Sequence, residues 1–382
     1  LAGSFTFDGR TVPIRDGDTL GSALHRAGVK VLARSLRYHR PRGLNCCIGS
    51  CASCLVDVDG VPNVPACMMA AVDGAEVSSQ NRLGSARHDL YAVVDKVYRK
   101  GFDPHDAFTR STLLNRAFLE AVRFMSGVGK APGPDASAPA AAARRHVLAV
   151  DELVVGAGLH GLRRAHRAEG KVLLVDELPA LGGTATWDPA EDDVRRLAAG
   201  LPAHVEAWTG AVVFGLYGDV AGVVRGGDLY EVTARRVTVA TGRHDGLALF
   251  PNNDLPGVLT LRGASRLLHG HQVLPGSAIV GHGAALPPSF VQAVRAAGGE
   301  VVAQGTVKEA RGGTQVEAAR VAGRWVECDA IVTNVPGTPR VELLQQAGCA
   351  LAFRGGVLSN ARASPDGATS VPHVFAAFTE AA

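Results

Sequence analysis

Cys46, Cys51 and Cys54 follow one another with the spacing C-x4-C-x2-C, and Cys67 stands alone after twelve further residues. Four thiolates in that order hold two irons bridged by two sulfides. The chemistry asks for a short loop that wraps the cluster and aims three thiolates inward, with a fourth returning from a later strand. Gly49 supplies the backbone freedom, and Ser50, Ala52 and Ser53 are small enough to leave backbone amides near the sulfides. The alternatives are a structural zinc site or buried thiols. Zinc favours two short pairs rather than three ligands and a distant fourth, and three cysteines within nine residues pair awkwardly as disulfides. Cys47 lies one residue off the pattern and reads as a bystander, although it is placed to substitute for Cys46.

A second constellation begins a hundred residues later. Glu152-Leu-Val-Val-Gly-Ala-Gly-Leu-His-Gly161 is a strand running into the turn Gly156-x-Gly158-x-x-Gly161. Such a turn faces backbone amides and a helix N-terminus toward a pyrophosphate. The strand Lys171-Val-Leu-Leu-Val-Asp176-Glu177 follows at about the expected interval and ends in acids suited to a ribose hydroxyl. Gly182 and Gly183 form another close-approach turn, and the strand from Val237 leads to Thr241 and Gly242 on the usual return path to the dinucleotide. The helix between the first two strands is short and polar. Its arginines either flank phosphates or mark a site that has drifted. A third crossover, Ser277 to Ala303, carries Gly281-x-Gly283 without a third glycine, so NAD there is the weaker expectation.

The elements that must position these residues read as follows. A hairpin around Asp8-Gly9, a helix capped near Asp16–Thr19 and closed by Gly28, the cysteine loop, and a strand from Cys54 to Val58 compose a β-grasp ferredoxin-like domain over residues 1–80. Residues 81–145 are a helical connector and an Ala/Pro-rich linker, with Leu90, Val93, Val94 and Val97 and then Leu113, Leu114, Phe118 and Leu119 at helical spacing. That stretch reads as a packing arm or clamp. Residues 146–382 form an FAD/NAD(P)-type, Rossmann-like α/β domain, with a smaller nucleotide fold inserted at about 252–340. The fold class is thus α+β followed by α/β.

Composition narrows the setting. The 382 residues are 47% apolar and only 5% aromatic, so the cores rest on Ala, Val and Leu. A net charge of +3 spread along the chain gives no nucleic-acid footprint. No run is long enough for a membrane span. Five of the seven cysteines lie between Cys46 and Cys67, which fits a reducing, cytoplasmic setting better than a disulfide scaffold. Cys328 and Cys349 are isolated and read as small core residues. His160, His166, His244, His269, His271 and His282 lack partners at interpretable spacing, so no acid/base set for a substrate emerges, although His160 sits inside the glycine turn.

Beyond these motifs, Gly17-Asp-Thr-Leu, Arg34-Ser-Leu-Arg-Tyr-His-Arg-Pro-Arg-Gly43, Gln80-Asn-Arg82, Leu181-Gly-Gly183 and Phe250-Pro-Asn-Asn-Asp-Leu-Pro-Gly257 resemble the α subunit of heterotetrameric sarcosine oxidase. The cysteine loop resembles the iron–sulfur relatives of that subunit: hydrogen cyanide synthase, opine oxidase, and proline or hydroxyproline dehydrogenase subunits. The resemblance implies a bound dinucleotide, FAD or NAD or both, contacted by Gly156, Gly158, Gly161, Asp176 or Glu177, Gly182, Gly183, Thr241 and Gly242. It implies a [2Fe-2S] cluster on Cys46, Cys51, Cys54 and Cys67. It also implies a flavin-bearing β-type partner, with small subunits in some complexes, that oxidises a secondary amine or amino acid. The chain departs from the pattern in its polar first helix and in Ala376-Ala-Phe-Thr379, where such folds carry Ala-Gly-Asp or Ala-Gly-Ala. The folate-binding C-terminal half of the α subunit has no counterpart here, so transfer of formaldehyde to tetrahydrofolate is not expected of this chain.

Three functions are in play. The leading expectation is an electron-transfer subunit of an amine or amino-acid dehydrogenase or oxidase, acting on CH–NH donors through its partner. The second is a stand-alone NAD(P)H-dependent iron–sulfur flavoprotein reductase, which needs the inserted fold to bind NADH. The third is a scaffold subunit with a decayed dinucleotide site. A disulfide reductase is disfavoured, since the flavin-type domain has no C-x-x-C or C-x4-C.

Overall fold

A computed structural model describes residues 3–97, 108–126, 143–187, 192–362, 364 and 366–377. Most of the Ala/Pro linker, together with Phe378 and Thr379 of the altered C-terminal run, lies outside the described residues. The chain divides into two compact units, one of Leu1–Ala138 with Leu247–Val335 and the other of Pro139–Gly246 with Pro336–Ala382. The inserted stretch therefore packs on the cysteine-bearing domain that precedes it by almost two hundred residues.

In the first unit the hairpin Ser4–Phe7 and Arg10–Pro13 turns through Asp8 and Gly9, both at positive φ (47° and 80°). Two left-handed residues match the right-handed twist of the paired strands. The helix Leu20–Arg26 starts with a reciprocal cap, Thr19 accepting from the Ser22 amide and Ser22 from the Thr19 amide. The strands order as Arg10–Pro13, Ser4–Phe7, Glu76–Ser78, Leu55–Val58 and Val61–Pro65, with Ser4–Phe7 and Glu76–Ser78 parallel. The helix covers this sheet with Leu20, Ala23 and Leu24. A parallel sheet of Val258–Thr260, Ala330–Asn334, Ala278–Gly283 and Glu300–Gly305 forms the inserted fold, and a meander of Val307–Arg311, Ala318–Val321 and Arg324–Glu327 follows.

One core runs through both parts of this unit, joining Leu20, Leu24 and Cys67 to Leu259, Leu267 and Phe290. His25 crosses the same seam, its Nε2 lying 2.9 Å from the Pro275 carbonyl and 2.6 Å from Lys30 Nζ. Burial, reinforced by the Lys30 charge, holds the imidazole down to about 3. The unfolded chain takes up this proton near the ordinary histidine value, so the contribution of neutral His25 is complete above about pH 6.5 and is lost as pH falls toward 3. Between pH 7 and 4 the loss amounts to about 3 kcal/mol by the linkage relation. His25→Gln, which keeps a donor for the carbonyl but cannot titrate, is expected to lose that much less over the same interval in denaturant titrations. Equal losses in the two proteins would exclude the assignment.

The second unit is a seven-stranded sheet. Val205–Trp208, Val172–Val175, Arg145–Val155 and Asp228–Val239 run side by side in parallel, and Val374–Ala376 adds to one half of the last strand. Val220–Arg225 and Ala211–Tyr217 extend its other half in antiparallel order. Leu153, Val154, Leu173 and Leu174 are fully buried, as strands covered on both faces require. The polar helix Leu159–Arg167 still has an apolar stripe, Leu162 and Ala165, continued by Ala168. Two of its three arginines have partners on the protein. Arg164 binds the buried Glu152, which also accepts from Thr238 Oγ1 at 2.7 Å, and Arg163 lies 3.8 Å from Asp193. Arg164 is therefore fixed to the sheet beneath the helix.

Candidate functional site

Two glycines allow the cysteine loop to be gripped from both ends. At Gly21, a Cβ would stand 3.1 Å from the Cys67 Cα and 2.9 Å from Leu44, so the helix Leu20–Arg26 lies directly on the fourth cysteine. At Gly263, in the helix Leu261–Ser265, a Cβ would meet the Asn45 carbonyl oxygen at 2.3 Å and Cys46 backbone at 3.0 Å. The Thr260 amide donates to the Asn45 carbonyl at 3.1 Å, and Asn45 Nδ2 donates to the Val258 carbonyl at 3.0 Å. Arg266, itself buried, donates to the Cys47 carbonyl and lies 3.2 Å from Met68 Sδ. Gly21, Gly263 and Arg266 were missed by sequence reasoning. Gly263 and Arg266 lie more than two hundred residues from Cys46, and no local pattern marks them.

The four thiols meet as a chain of contacts rather than around one point. Cys46 interacts with Cys51 and Cys67, and Cys67 also with Cys54. Hydrogen bonds from Cys51 and Cys67, against the opposing effect of burial, pull the Cys46 thiol down to about 2, with help from the Ile48 and Ser50 backbone. The same contacts push Cys51 and Cys67 up, while Cys67 lowers Cys54. Among the described residues, no three His, Cys, Asp or Glu side chains converge tightly enough for a single ion. Two sulfur pairs, Cys46–Cys51 and Cys54–Cys67, joined through Cys46 and Cys67, fit a two-iron cluster. Cys46, Cys54 and Cys67 are buried and Cys51 is exposed. Cys47 is buried at φ 53°, in a backbone turn that separates it from Cys46.

The family-like runs serve this same neighbourhood. Asp254, from the Asn252–Gly257 stretch, pairs with Arg42 at 3.1 Å and Arg40 at 3.7 Å, from the Arg34–Gly43 run. Asn252 adopts φ 64° and donates through Nδ2 to the Ala310 carbonyl at 2.8 Å. These residues join the cysteine domain to the inserted fold. In that fold His282 accepts from the Val307 amide at 3.0 Å, which fills the glycine-poor turn with a structural contact.

In the second unit the glycine turn divides into packed and open positions. A Cβ at Gly161 would fall 1.7 Å from the Gly156 carbonyl oxygen, and one at Gly156 (φ +101°) would fall 2.4 Å from that of Ala240. At Gly158, the N-cap of the helix, a Cβ would meet nothing within 4 Å and no side chain caps the free amides. That open face with unclaimed N–H groups is what a pyrophosphate fits. Gly183 (φ +57°) backs onto Gly158, its Cβ position 3.2 Å from the Gly158 Cα. Asp176 accepts from the amides of Ala157 at 2.5 Å and Leu178 at 2.8 Å, and burial pushes its carboxyl up. Glu177 is half-exposed and pairs with Arg340 at 2.9 Å. Thr241 Oγ1 donates to the Arg340 carbonyl at 3.1 Å, and the Arg340 amide donates to the Gly242 carbonyl at 3.0 Å. The structure thus gathers all the predicted dinucleotide residues around one turn and adds Arg340, which no motif announced. Burial, then the Arg163 charge, lowers His160 and favours its neutral form.

Comparison with known proteins identifies the family of the first domain and the fold. Residues 4–82 match the 2Fe-2S iron-sulfur cluster binding domain family. The chain is 31% identical over 311 residues to the sarcosine oxidase subunit alpha of Rhizobium meliloti, covering 72% of this chain and 31% of that protein. It is 26% identical over 312 residues to the subunit of the same name from Corynebacterium sp. strain U-96, covering 27% of it. The chain thus spans about a third of the length of the curated relatives it matches. Among solved structures, L-proline dehydrogenase from P. horikoshii superposes over 98% of this chain and 68% of its own, with a TM-score of 0.73 at 21% identity. The fold is a 2Fe-2S β-grasp domain followed by a dinucleotide-type α/β domain.

Proposed function

We propose, from the chain's relationship to sarcosine oxidase α subunits, that it is the electron-transfer subunit of a flavin-dependent enzyme oxidising the C–N bond of an amine or amino acid. The observation that carries the reading is the cysteine loop: four sulfurs in two pairs, gripped by Gly21 and Gly263, in one chain with an open glycine turn. Cys46, Cys51, Cys54 and Cys67 would hold the cluster, which supplies a one-electron carrier when bound. The chain's own part is to exclude water from three of the sulfurs and to aim the Ile48 and Ser50 amides at Cys46. Both effects tune a cluster's potential. Gly156, Gly158, Gly161, Gly182 and Gly183 would cradle the pyrophosphate of FAD or NAD, with Thr241 and Gly242 on the opposite edge. Asp176, already engaged by the turn's amides, would orient the turn. Glu177 with Arg340 would face the ribose.

Substrate chemistry would fall to a flavin-bearing partner subunit, a reading that the relationship to sarcosine oxidase α subunits supports. Purification from the native host tests the reading. The expected preparation is brown, shows a rhombic [2Fe-2S] resonance on reduction, releases a flavin or nicotinamide dinucleotide on heating, and carries a flavoprotein that oxidises a secondary amine or amino acid. A colourless protein containing zinc refutes the cluster. Rapid flavin bleaching by NADH in the absence of any partner favours a stand-alone reductase, and a cluster-bearing chain without nucleotide favours a scaffold.

A further inference from the structure

Arg266 is 7% exposed, a guanidinium taken into the interior of the first unit. It meets the cysteine-bearing segments at two points. Nη1 donates to the Cys47 carbonyl, one residue from Cys46, and lies 3.2 Å from Sδ of Met68, the residue after Cys67. Cys46 and Cys67 are the sulfurs through which the two thiol pairs join. The arginine therefore stands where the loop and the returning fourth cysteine come together. Solvent reaches the four sulfurs at Cys51, the exposed member.

The backbone is shaped to deliver this side chain. Thr260 caps the helix Leu261–Ser265 by accepting from the Gly263 amide, and Gly263 lets that helix press on Asn45 and Cys46. Arg266 then opens a π-helical turn, Arg266–Gly270. Turns of that kind are rare and recur at functional sites. A carbonyl and a thioether ask for no more than a donor, which a neutral glutamine supplies. A buried guanidinium instead carries a heavy desolvation cost, which neighbouring negative charge offsets. Arginine keeps its proton at any working pH, so the charge is permanent. Burial, then that same charge, lowers the nearby His271 and favours its neutral form, so the imidazole does not take over the role.

The negative charge in question is that of the cluster. Two ferric ions, two sulfides and four thiolates carry a net double negative charge, and one added electron makes it triple. A cation beside them favours the added electron. Covalent geometry keeps the Arg266 nitrogen within about 12 Å of the Cys46 sulfur, counted through the Cys47 carbonyl. At an effective dielectric of about 20, a unit charge at about 12 Å shifts a one-electron equilibrium roughly tenfold, and a closer one shifts it more.

We propose that Arg266, through its charge, raises the reduction potential of the cluster above what the four thiolates alone would give. The proposal rests on the reading of Cys46, Cys51, Cys54 and Cys67 as cluster ligands. Redox titration of the full cluster-bearing chain tests it, followed by visible absorbance and by the resonance of the reduced form. In Arg266→Gln, with iron content unchanged, the affinity for one electron is expected to fall at least about tenfold, or about 59 mV in potential. Arg266→Lys keeps the charge but gives up the planar fork, and should stay within about threefold. Arg324→Gln removes an exposed arginine from the meander and should stay within about twofold, because water and salt screen it. If the unaltered chain shows no [2Fe-2S] resonance, the cluster reading falls and this role with it. If the resonance is present and Arg266→Gln titrates with the unaltered chain, the cluster stands and the role of Arg266 is wrong. An equal fall in the lysine and glutamine variants assigns the effect to hydrogen bonding and likewise overturns the charge. Should the glutamine variant shed its iron, Arg266→Met provides a second neutral side chain of similar length. Iron kept by lysine and lost by both neutral variants supports the charge, whereas iron lost by lysine as well makes Arg266 a structural clamp and overturns it.

Discussion

Serine at Cys54 or Cys67 is expected to give a colourless chain without iron, whereas alanine at Cys47 leaves the colour and the iron content intact. All three side chains are about equally buried, at 3% exposure, so burial alone does not separate them. What separates them is the kind of contact: Cys54 and Cys46 hydrogen-bond Cys67, whereas Cys47 acts on it only as a nearby charge. Cys54 and Cys67 interact with each other and, through Cys67, with Cys46. Cys47 turns through a left-handed backbone, and its carbonyl is taken by Arg266. Loss of a ligand also costs stability, because a group bound only by the folded chain stabilises it by about 4 kcal/mol at a thousandfold excess over its dissociation constant. A serine hydroxyl left in the core beside Leu20 and Leu259 adds about 1–3 kcal/mol. Iron analysis, visible absorbance and thermal unfolding on the three variants decide the matter. Iron kept in Cys67→Ser and lost in Cys47→Ala would move the ligand set onto the neighbouring thiol.

Alanine at Gly161 and alanine at Gly158 are expected to fail in opposite ways. The Gly161 methyl would sit 1.7 Å from the Gly156 carbonyl oxygen, a backbone atom that cannot rotate aside, so the turn must open. Overpacking of that kind costs about 3 kcal/mol. Gly158 has ordinary φ (−71°) and open space at its Cβ, so alanine there should shift stability by less than about 0.5 kcal/mol. The same methyl would stand where a pyrophosphate must approach the backbone. Gly158→Ala is therefore predicted to fold normally and to lose its heat-released dinucleotide, while Gly161→Ala loses both. Full nucleotide content in a stable Gly158→Ala protein would rule out the turn as the phosphate cradle. Measuring stability and nucleotide together is essential, since either alone confuses a damaged fold with a damaged site.

Local chemistry made much of this legible. The cysteine spacing, the Asp8-Gly9 turn and the strand–glycine–helix pattern at 152–161 depend on residues close in sequence, where spacing fixes geometry. They point to the 2Fe-2S domain and the dinucleotide-type fold by themselves. The hairpin Ala211–Arg225 and the meander Val307–Glu327 went unread in the sequence, because short antiparallel strands carry no motif beyond their alternation. Tertiary structure alone decided which distant segments guard the cluster. Nothing near Cys46 announces that Gly263 and Arg266 will close over it, or that Arg42 will find Asp254. Such contacts are set by packing a single core through Leu24 and Leu259, and a pairing across two hundred residues carries no periodic signal. The arginines of the first dinucleotide helix illustrate the same limit. Their spacing suited phosphates, yet Arg164 turned to Glu152 because a buried carboxylate without a partner is far more costly than an exposed guanidinium. The sequence by itself determined the spacing of the four cysteines and the glycine turn. Only the folded chain determined which side of the cluster is sealed and which is open, because that depends on what the insertion covers.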